Sequence, residues 1–299
     1  MLDVRRLRLL RELAHHGTIA AVAEALAFSP SAVSQQLSVL EKEAGVPLLE
    51  RTGRRVALTP AGRNLVRHAE AVLERLEQAS AELAHARRGL AGPLRIGTYP
   101  SAARAIVPAA LAGLAARHPG LEPMVSEVDP AAVAAALRAG ELDVALVHEY
   151  DLVPAEPEPG LAFTQPVFAE PMYLAAAAAG TVAEHRGSPW IMAPAGTLCH
   201  AMTLRACQSA GFTPRVRHHV DDFTTVLALV AVGQGVALVP HLGTVPAPPP
   251  GVVLTRLPMY RRTRTAFRAG AAAHPAVAAF TAALHSAVPA ELGGGVPQV

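Results

Sequence analysis

Apolar side chains recur at helical spacing through the first part of the chain and predict three short helices. The first helix covers residues 3–15, and the second covers residues 19–26 with Thr18 as its capping residue. Ser29 caps the third helix, and Pro30 takes the first helical position, where its missing N–H costs nothing. The chain is therefore expected to open with a small unit of three helices.

Small polar side chains occupy the outer face of the third helix, namely Ser31, Ser34, Gln35 and Ser38. A solvated helix usually carries Glu/Lys pairs on such a face. Short donors and acceptors instead let a helix approach base edges, where glutamine pairs with adenine and serine reaches phosphate or bases. The pattern predicts a helix that reads DNA, with Thr18, Ser29 and Pro30 as further candidate DNA contacts. An ordinary exposed serine face is the alternative.

A basic hairpin follows the third helix. Residues 46–59 predict two short strands around a turn at Thr52-Gly53, with Arg51, Arg54 and Arg55 at the tip. Three helices and such a hairpin form a winged helix-turn-helix, in which the hairpin arginines suit the minor groove or backbone phosphates. Solvated surface charge is the alternative interpretation of each arginine.

A long helix is predicted over residues 60–90, because Thr59 caps it and apolar residues then alternate at spacings of four and three. The seam consists of Leu65, Ala69, Val72, Leu76, Ala79, Leu83, Ala86 and Leu90. A rod of about 43 Å results. A partner helix is expected to cover the seam, and packing against the chain's own C-terminal part is the alternative.

Strands alternate with helices beyond residue 91, which predicts a parallel α/β sheet. The pattern pauses at the proline-rich residues 153–160, so two similar halves are expected, with a small ligand bound between them where strand ends and helix N-termini converge. Simple helix capping is the alternative role for the hydroxyl and carboxylate groups at this place. The loops that reach it carry Thr98, Tyr99, Pro100, Ser101, Val128, Asp129, His148, Thr197, Leu198, Cys199, His200 and Phe223.

Charge and composition refine this division of the chain. Of the 299 residues, residues 1–68 carry ten Lys/Arg and six Asp/Glu, whereas residues 91–299 carry thirteen and fourteen. The positive balance therefore lies where a polyanion would bind. The charged first ten residues predict no signal peptide, and glycine and proline interrupt the longest uncharged stretch, so no membrane span is expected. We expect a cytoplasmic protein.

Motifs for catalysis and metal binding are missing from the sequence. It contains no G-x-S-x-G, P-loop or H-E-x-x-H pattern, and His218 and His219 alternate across a predicted strand. Cys199 and Cys207 lack metal spacing and lie too far apart on one helix for a disulfide. We expect no enzyme activity, metal or cofactor. Cys199 beside the ligand site is either an oxidant-sensing thiol of lowered pKa or a buried inert thiol.

Residues 1–62 resemble the DNA-binding domain of the LysR-type transcriptional regulators. The resemblance rests on the run GTIAAVAEALAFSPSAVSQQLSVLEKEAGVPLLERTGRRVALTPAG, in which Ser29-Pro30 replaces the family's usual serine-glutamine and Leu49 replaces a common phenylalanine. It implies a winged helix-turn-helix over 1–59 and a linker helix over 60–90 that pairs antiparallel with its mate in a homodimer. A homotetramer and contact with RNA polymerase are further implications.

The resemblance also implies that the C-terminal region is an effector domain like the periplasmic binding proteins, built from two Rossmann-like subdomains over residues 91–290. Subdomain I would comprise about 92–162 and 266–290, and subdomain II about 163–265, with a disordered tail at 291–299. Family members contact effectors at positions that correspond to Thr98–Ser101 and to the regions near 128–129 and 197–200.

Three classes of function remain open. The first is a sequence-specific DNA-binding regulator controlled by a small-molecule effector, in which cleft closure changes the angle between dimers and the bend of the DNA. The second is an α/β enzyme fused to a DNA-binding module, which the missing catalytic motifs disfavour. The third is a ligand-independent architectural DNA-binding protein, which the two-lobed cleft disfavours.

Overall fold

The computed structural model describes residues 1–52, 55–86, 89–154 and 158–293. The N-terminal domain contains three helices and a two-stranded hairpin. Their bounds are α1 Val4–His16, α2 Ile19–Ala25, α3 Pro30–Ala44, β1 Leu49–Thr52 and β2 Arg55–Leu58. No helix among the described residues combines the length and apolar character that a membrane crossing requires.

Local capping signals set the helix boundaries of this domain. The side chain of Thr18 accepts a hydrogen bond from the Ala21 amide, and the side chain of Ser29 accepts one from the Ala32 amide. Leu10 and Leu40 are fully buried where the three helices meet. Burying such a side chain contributes roughly 1.5–3 kcal/mol, which is why the spacing of apolar residues predicted these helices well.

The linker helix α4 (Pro60–His85) is shorter than the predicted range of 60–90. Its 26 residues give a rod of about 39 Å. Leu90 is not on this helix, because it packs against the core of the effector domain next to the first strand there. The prediction of a seam that continues to Leu90 was therefore wrong at its end.

Two different faces of α4 serve two different purposes. Ala81 is fully buried, and Gly270 of the effector domain lies so close that a Cβ there would stand 2.4 Å from the Glu74 carbonyl oxygen. Along the predicted seam, by contrast, Leu76 and Leu83 are 49% and 68% exposed. The helix thus packs on its own effector domain through one face and leaves much of the apolar seam uncovered.

The effector domain consists of a mixed sheet, a smaller two-stranded sheet and surrounding helices. Its elements are β3 Ala91–Thr98, α5 Pro100–Ala105, α6 Val107–Arg117, β4 Gly120–Glu127, α7 Pro130–Ala139, β5 Val144–Tyr150, β6 Leu161–Phe163, β7 Phe168–Ala176, β8 Pro189–Met192, α8 Leu198–Ser209, β9 Arg215–His219, α9 Phe223–Ala231, β10 Ala237–Pro240, β11 Val253–Arg268, α10 Pro275–Ala287 and α11 Ala290–Gly293.

The long strand β11 joins the two halves of the domain. The main sheet has the order β10-β7-β11-β5-β3-β4, with β6 beside β11. Strand β3 is parallel to β4 and β5, whereas β11 is antiparallel to β5, β6 and β7. The expectation of a purely parallel sheet was therefore wrong, because β11 returns through both halves and pairs with strands of each.

Each half has its own core, so the domain has two lobes. Ile96 and Phe280 are fully buried in the first lobe, and Trp190 is fully buried in the second. The predicted lobe boundary after residue 162 differs from the packing, because Phe168 belongs to the first core and Tyr150 to the second.

The C-terminal tail is ordered further than predicted. Helix α11 covers Ala290–Gly293, and Leu292 is 2% exposed in the core of the first lobe, so the prediction of disorder from residue 291 was wrong for these residues. Residues 294–299 of the predicted tail lie outside the described residues.

Candidate functional site

The polar face of α3 is accessible at the surface. Ser31, Gln35 and Ser38 are exposed, and Ser34 is half-buried. Pro30 is also exposed and begins the helix. Short polar side chains therefore face outward over two turns of α3, as direct reading of base edges requires.

The neighbouring cap residues have local roles as well. The Ser29 hydroxyl oxygen accepts from the Ala32 amide at 3.2 Å, and Thr18 accepts from the Ala21 amide at 3.1 Å. Both residues are exposed, and the Thr18 hydroxyl retains a proton to donate to a phosphate, whereas the Ser29 hydroxyl shares a hydrogen bond of 3.1 Å with the Ser31 hydroxyl. Capping is shown for both residues, and contact with DNA stays a prediction.

Buried and half-buried side chains fix the orientation of α3 and the hairpin. The Glu41 carboxylate accepts from the amides of Leu48 and Leu49, both at 2.9 Å, and so ties the hairpin to α3. Arg6 of α1 donates to Gln36 at 2.8 Å and pairs with Glu43. These contacts hold the polar face of α3 in a fixed relation to the hairpin.

The hairpin forms as predicted in its strands. Arg51 pairs with Val56 in the register, and Arg55 begins β2. Arg54 lies outside the described residues, as does the turn residue Gly53. Contact of the three arginines with DNA therefore stays a prediction.

A cavity of about 530 Å³ lies between the two lobes of the effector domain. It collects most of the predicted ligand-site residues, because the strand ends and helix N-termini converge there as expected. The predicted residues that line it are Tyr99, Pro100, Ser101, Asp129, His148, Thr197, Leu198, Cys199 and Phe223.

Three predicted residues lie away from the cavity wall. Thr98 is fully buried at the end of β3. Val128 packs in a separate apolar cluster, and its amide bonds to the Thr98 carbonyl. The His200 ring turns back to the Ala193 carbonyl, with 3.0 Å between Nδ1 and the oxygen. These three residues do not line the cavity, so their direct contact with an effector stays a prediction that the cavity does not support.

Sequence reasoning missed several charged and aromatic residues of the wall. Three of them come from β11, which the sequence pattern presented only as a closing strand. Period-two alternation on this strand places Arg264 and Ala266 on one face, which was a usable signal for these two, but it places Arg261 on the other face and so could not have located it. The missed residues include Arg104, Glu149, Glu158, Phe163, Asp221, Asp222, Arg261, Arg264 and Ala266.

A buried ion pair forms the floor of the cavity. Arg261 is 1% exposed and Glu170 is fully buried, and 2.7 Å separates Nη2 from Oε1. The same Nη2 donates to Ser101 Oγ at 2.8 Å, and the Leu242 amide donates to Glu170 Oε2 at 2.6 Å. The guanidinium also stands 4.7 Å from the centre of the Tyr99 ring. Elements from both lobes therefore meet on this pair.

His148 adjoins the pair and is neutral. It is 7% exposed, and its ring lies edge-on to Tyr99 and Tyr150 at 4.7 and 5.3 Å between centroids. Burial, and secondarily Arg261, holds the pKa of His148 well below its ordinary value. Neither ring nitrogen has a hydrogen-bond partner among the residues that the structure describes. A buried imidazole without partners is uncommon, so this group needs an explanation.

Both thiols have a raised pKa, whereas oxidant sensing requires a lowered one. The Cys199 sulfur is 2.9 Å from the Tyr150 hydroxyl, and burial raises the pKa of Cys199. Burial also raises the pKa of Cys207 to about 12. Both lie on α8, where eight residues span about 12 Å, too far for a disulfide. Of the two interpretations of Cys199, the raised pKa favours the buried inert thiol over the oxidant sensor.

Helix α7 links the cavity to the DNA-binding domain. Asp129, which caps this helix, lines the cavity at one end. At the other end, Arg8 of α1 donates to the carbonyl oxygens of Arg138 and Ala139 at 3.0 and 2.7 Å. The Arg138 side chain lies 3.9 Å from the carboxylate of Glu12 on α1. Helix α7, which is about 15 Å long, thus contacts both the cavity and helix α1 of the DNA-binding domain.

Arg138 also contacts Glu158, a charged residue of the cavity wall. Its Nη1 is 3.5 Å from Glu158, which lines the cavity. Arg138 is 7% exposed, and Glu12 is 1% exposed and also pairs with Arg11.

Among the described residues, no group of three or more His, Cys, Asp and Glu is arranged to hold a metal ion.

Comparison with known proteins accounts for almost the whole chain. Residues 4–63 match the family described as "Bacterial regulatory helix-turn-helix protein, lysR family", and residues 87–289 match the LysR substrate binding domain. The two matches correspond to the two domains of the structure. Together they cover the polar face of α3 and the cavity between the lobes.

Similar proteins include two named "Probable hydrogen peroxide-inducible genes activator". The one from Mycobacterium xenopi is 44% identical over 144 residues, which is 48% of this chain and 75% of the relative. The one from Mycobacterium avium is 32% identical over 244 residues, 79% of this chain and 76% of the relative. A solved cysteine mutant of OxyR from Corynebacterium glutamicum has a TM-score of 0.58 at 27% identity, with 96% of this chain and 92% of that chain covered. This chain belongs to the LysR family and is an effector-controlled, DNA-binding transcriptional regulator, not an enzyme.

Proposed function

We propose that this regulator reads its operator with the exposed face of α3 that carries Ser31, Gln35 and Ser38. The observation that carries the proposal is the accessibility of these three side chains on a helix held rigidly by Arg6 and Glu41. A fixed helix with short polar groups can approach base edges closely. The hairpin arginines would then hold the flanking backbone and supply affinity without sequence preference.

The working form is a homodimer in the bacterial cytoplasm, where its DNA target lies. The uncovered part of the α4 seam supports this, because Leu76 and Leu83 expose much of their surface along one line. A second copy of the same helix would cover that line. Two reading helices would then meet two half-sites on one face of the duplex. Association into tetramers and contact with RNA polymerase remain proposals.

Control by a small molecule would act through α7. A ligand in the cavity contacts the N-terminal end of this helix, and Arg8 is bound to its C-terminal carbonyls. Closure of the lobes would therefore change the position of the DNA-binding domain. The ligand can shift this equilibrium only by as much as it binds one state better than the other. We propose a diffusible effector without a resident cofactor.

Direct oxidation of a thiol is a second candidate signal, because two relatives carry the name of peroxide-inducible gene activators. The raised pKa of Cys199 and of Cys207 argues against it, since the thiolate is the reactive form. We therefore favour a reversible ligand.

The test of the reading helix is Gln35→Ala, measured by fluorescence anisotropy on duplexes from the regulator's own promoter with single base-pair changes. Loss of a bidentate contact should remove discrimination at one base pair by roughly 1–3 kcal/mol, about 5- to 150-fold in affinity. Gln208→Ala is the matched control, because this glutamine is exposed on α8 in the effector domain.

An unchanged preference at every base pair in Gln35→Ala would show that another face of the domain reads the operator. Binding that depends on salt but not on sequence in the wild-type protein would favour the architectural alternative.

A further inference from the structure

We propose that the effector is an organic cation, with a protonated amine or guanidinium group next to an apolar body. This inference rests on the proposed function, since it concerns the ligand of the cavity between the lobes. It follows from which charges of the cavity wall are already neutralised and which are not. The argument uses the described residues only.

Two arginines of the cavity wall each have a carboxylate partner. Arg261 is bound to Glu170 with 2.7 Å between the charged atoms, and Arg264 is bound to Glu149 at 2.7 Å, although Arg264 Nε has no hydrogen-bond partner among the described residues. Arg261 also has Ser101 as a hydrogen-bond acceptor. A carboxylate that bound Arg261 would have to displace Glu170 or Ser101, and a buried carboxylate left without its cation is costly.

One of the two wall hydroxyls has no proton left for a ligand. The Thr197 hydroxyl donates to the Pro194 carbonyl at 2.9 Å and accepts from the His200 amide at 3.1 Å. Ser101 Oγ accepts from Arg261 and keeps its own proton, so it can donate to a neutral polar group of the ligand.

Three carboxylates at one side of the cavity form no ion pair among the described residues. Asp129 lies at the start of α7 in the first lobe, and Asp221 and Asp222 precede α9 in the second. Arg104 is the opposing cation, and it is held by the Val245 carbonyl at 3.1 Å and the Thr224 hydroxyl at 3.3 Å. Three negative charges against one leave this side of the cavity net negative.

Carboxylate oxygens are free to receive a ligand here. Asp129 uses Oδ1 to cap α7, which leaves its other oxygen available, whereas Asp222 caps α9 and also interacts with the Thr224 amide and with Arg104. No hydrogen bond or ion pair engages Asp221 within the described part of the chain. Its pKa is raised by burial and then by Asp129 and Asp222, as mutual repulsion across the cleft would require.

His148 independently indicates that a ligand belongs in this cavity. It is 7% exposed, lines the wall, and has two ring nitrogens without a partner. A neutral imidazole offers one donor and one acceptor, so a polar group of the ligand can satisfy it. Because burial keeps this ring uncharged, it adds no positive charge to the cavity and does not repel a cation.

Apolar side chains complete the wall and call for an apolar body on the ligand. Phe163, Leu161 and Val133 come from the first lobe, and Phe223 comes from the second. Aromatic rings also bind cations over their faces. A cation placed between Asp129 and the Asp221–Asp222 pair would replace repulsion between the lobes with attraction. Ligand binding would thereby close the cleft and displace α7.

The experiment compares matched ligands of opposite charge on the full-length protein. The melting temperature is measured with 2-phenylethylammonium or 3-phenylpropanoate, and with hexylammonium or heptanoate, at equal concentration and ionic strength. We expect at least one ammonium compound to raise the melting temperature and its carboxylate counterpart to leave it unchanged. In Asp221→Asn the ammonium compound should bind at least fivefold more weakly, whereas in Glu122→Gln, an exposed site on β4, it should bind normally.

Asp221→Asn provides a second measurement that needs no ligand. Removing one of three mutually repelling carboxylates should raise the melting temperature of the unliganded protein. The same substitution should weaken binding of the ammonium compound. General damage to the fold does not produce this combination. A shift with the carboxylates alone, no shift with either kind, or a destabilised Asp221→Asn would each overturn the proposal. Failure of the reading helix instead appears only in the Gln35→Ala binding assay, so the two failures are distinguishable.

Discussion

Replacement of Arg261 by methionine tests whether the buried pair holds the two lobes together. Arg261 is 1% exposed and Glu170 fully buried, so the substitution leaves a carboxylate without its cation inside the protein. Breaking such a pair costs roughly 3–5 kcal/mol of unfolding free energy. The Leu242 amide still donates to Glu170, so we expect the lower half of that range. For a domain of this size the melting temperature should fall by roughly 6–15 °C.

The double variant Arg261→Met/Glu170→Leu separates the pair from the packing around it. An apolar replacement of both partners is often neutral, so the double variant should recover most of the stability that the single variant loses. Trp190 is the only tryptophan and is fully buried in the second lobe, so its fluorescence reports urea unfolding of that lobe. Urea midpoints of the wild type, both single variants and the double variant complete the cycle.

Two results would refute this reasoning. A loss below about 1 kcal/mol in Arg261→Met would mean that water or a rearranged side chain compensates Glu170. A double variant as unstable as the sum of both single variants would mean that the two side chains contribute independently, and the pair would then not be the link between the lobes.

The remaining predictions concern assembly, pH and coupling. Leu83→Asp should make the protein monomeric in sedimentation experiments, whereas Asn64→Asp on the same helix should not. Because the pKa of His148 lies below that of an exposed imidazole, the unfolded chain binds a proton first as pH falls below about 6.5. The free energy of unfolding that is present above that pH is therefore lost below it, by at most about 1.4 kcal/mol per pH unit. His148→Phe should remove that part of the pH dependence. Arg138→Ala should retain DNA affinity but weaken the response of operator binding to an ammonium ligand that raises the melting temperature.

Each of these has a contrary outcome. Dimers of Leu83→Asp at micromolar concentration would place the interface elsewhere. An identical acid slope in His148→Phe would assign the titration to another group, such as His274, whose pKa burial also lowers. Undiminished ligand response in Arg138→Ala would show that the signal does not pass along α7.

Local signals in the sequence anticipated much of the secondary structure. Thr18, Ser29 and Thr59 each accept the predicted capping hydrogen bond from an amide three residues later. Such contacts depend on a few neighbouring residues only, so spacing and residue type suffice to predict them. The end of α4 could not be predicted in this way, because Leu90 leaves the heptad to join a core of the effector domain.

The sequence predicted where the candidate site lies but not which charges line it. Strand ends and helix starts located Tyr99, Ser101 and Asp129 at the cavity, since parallel strands bring such loops together. The partners that set the charge of the cavity come from far along the chain. Arg261 lies 160 residues from Ser101 and 91 residues from Glu170.

Residue spacing and capping thus predicted the three N-terminal helices, the hairpin strands, most of the apolar seam of α4 and the division of the chain, because both act over a few residues. The fold in three dimensions fixed the carboxylate partners of the cavity arginines, the excess of carboxylates at one side of the cavity, and the burial of His148 without a hydrogen-bond partner among the described residues. Pairing and burial depend on distances between residues far apart in the chain, and only the packed lobes set those distances.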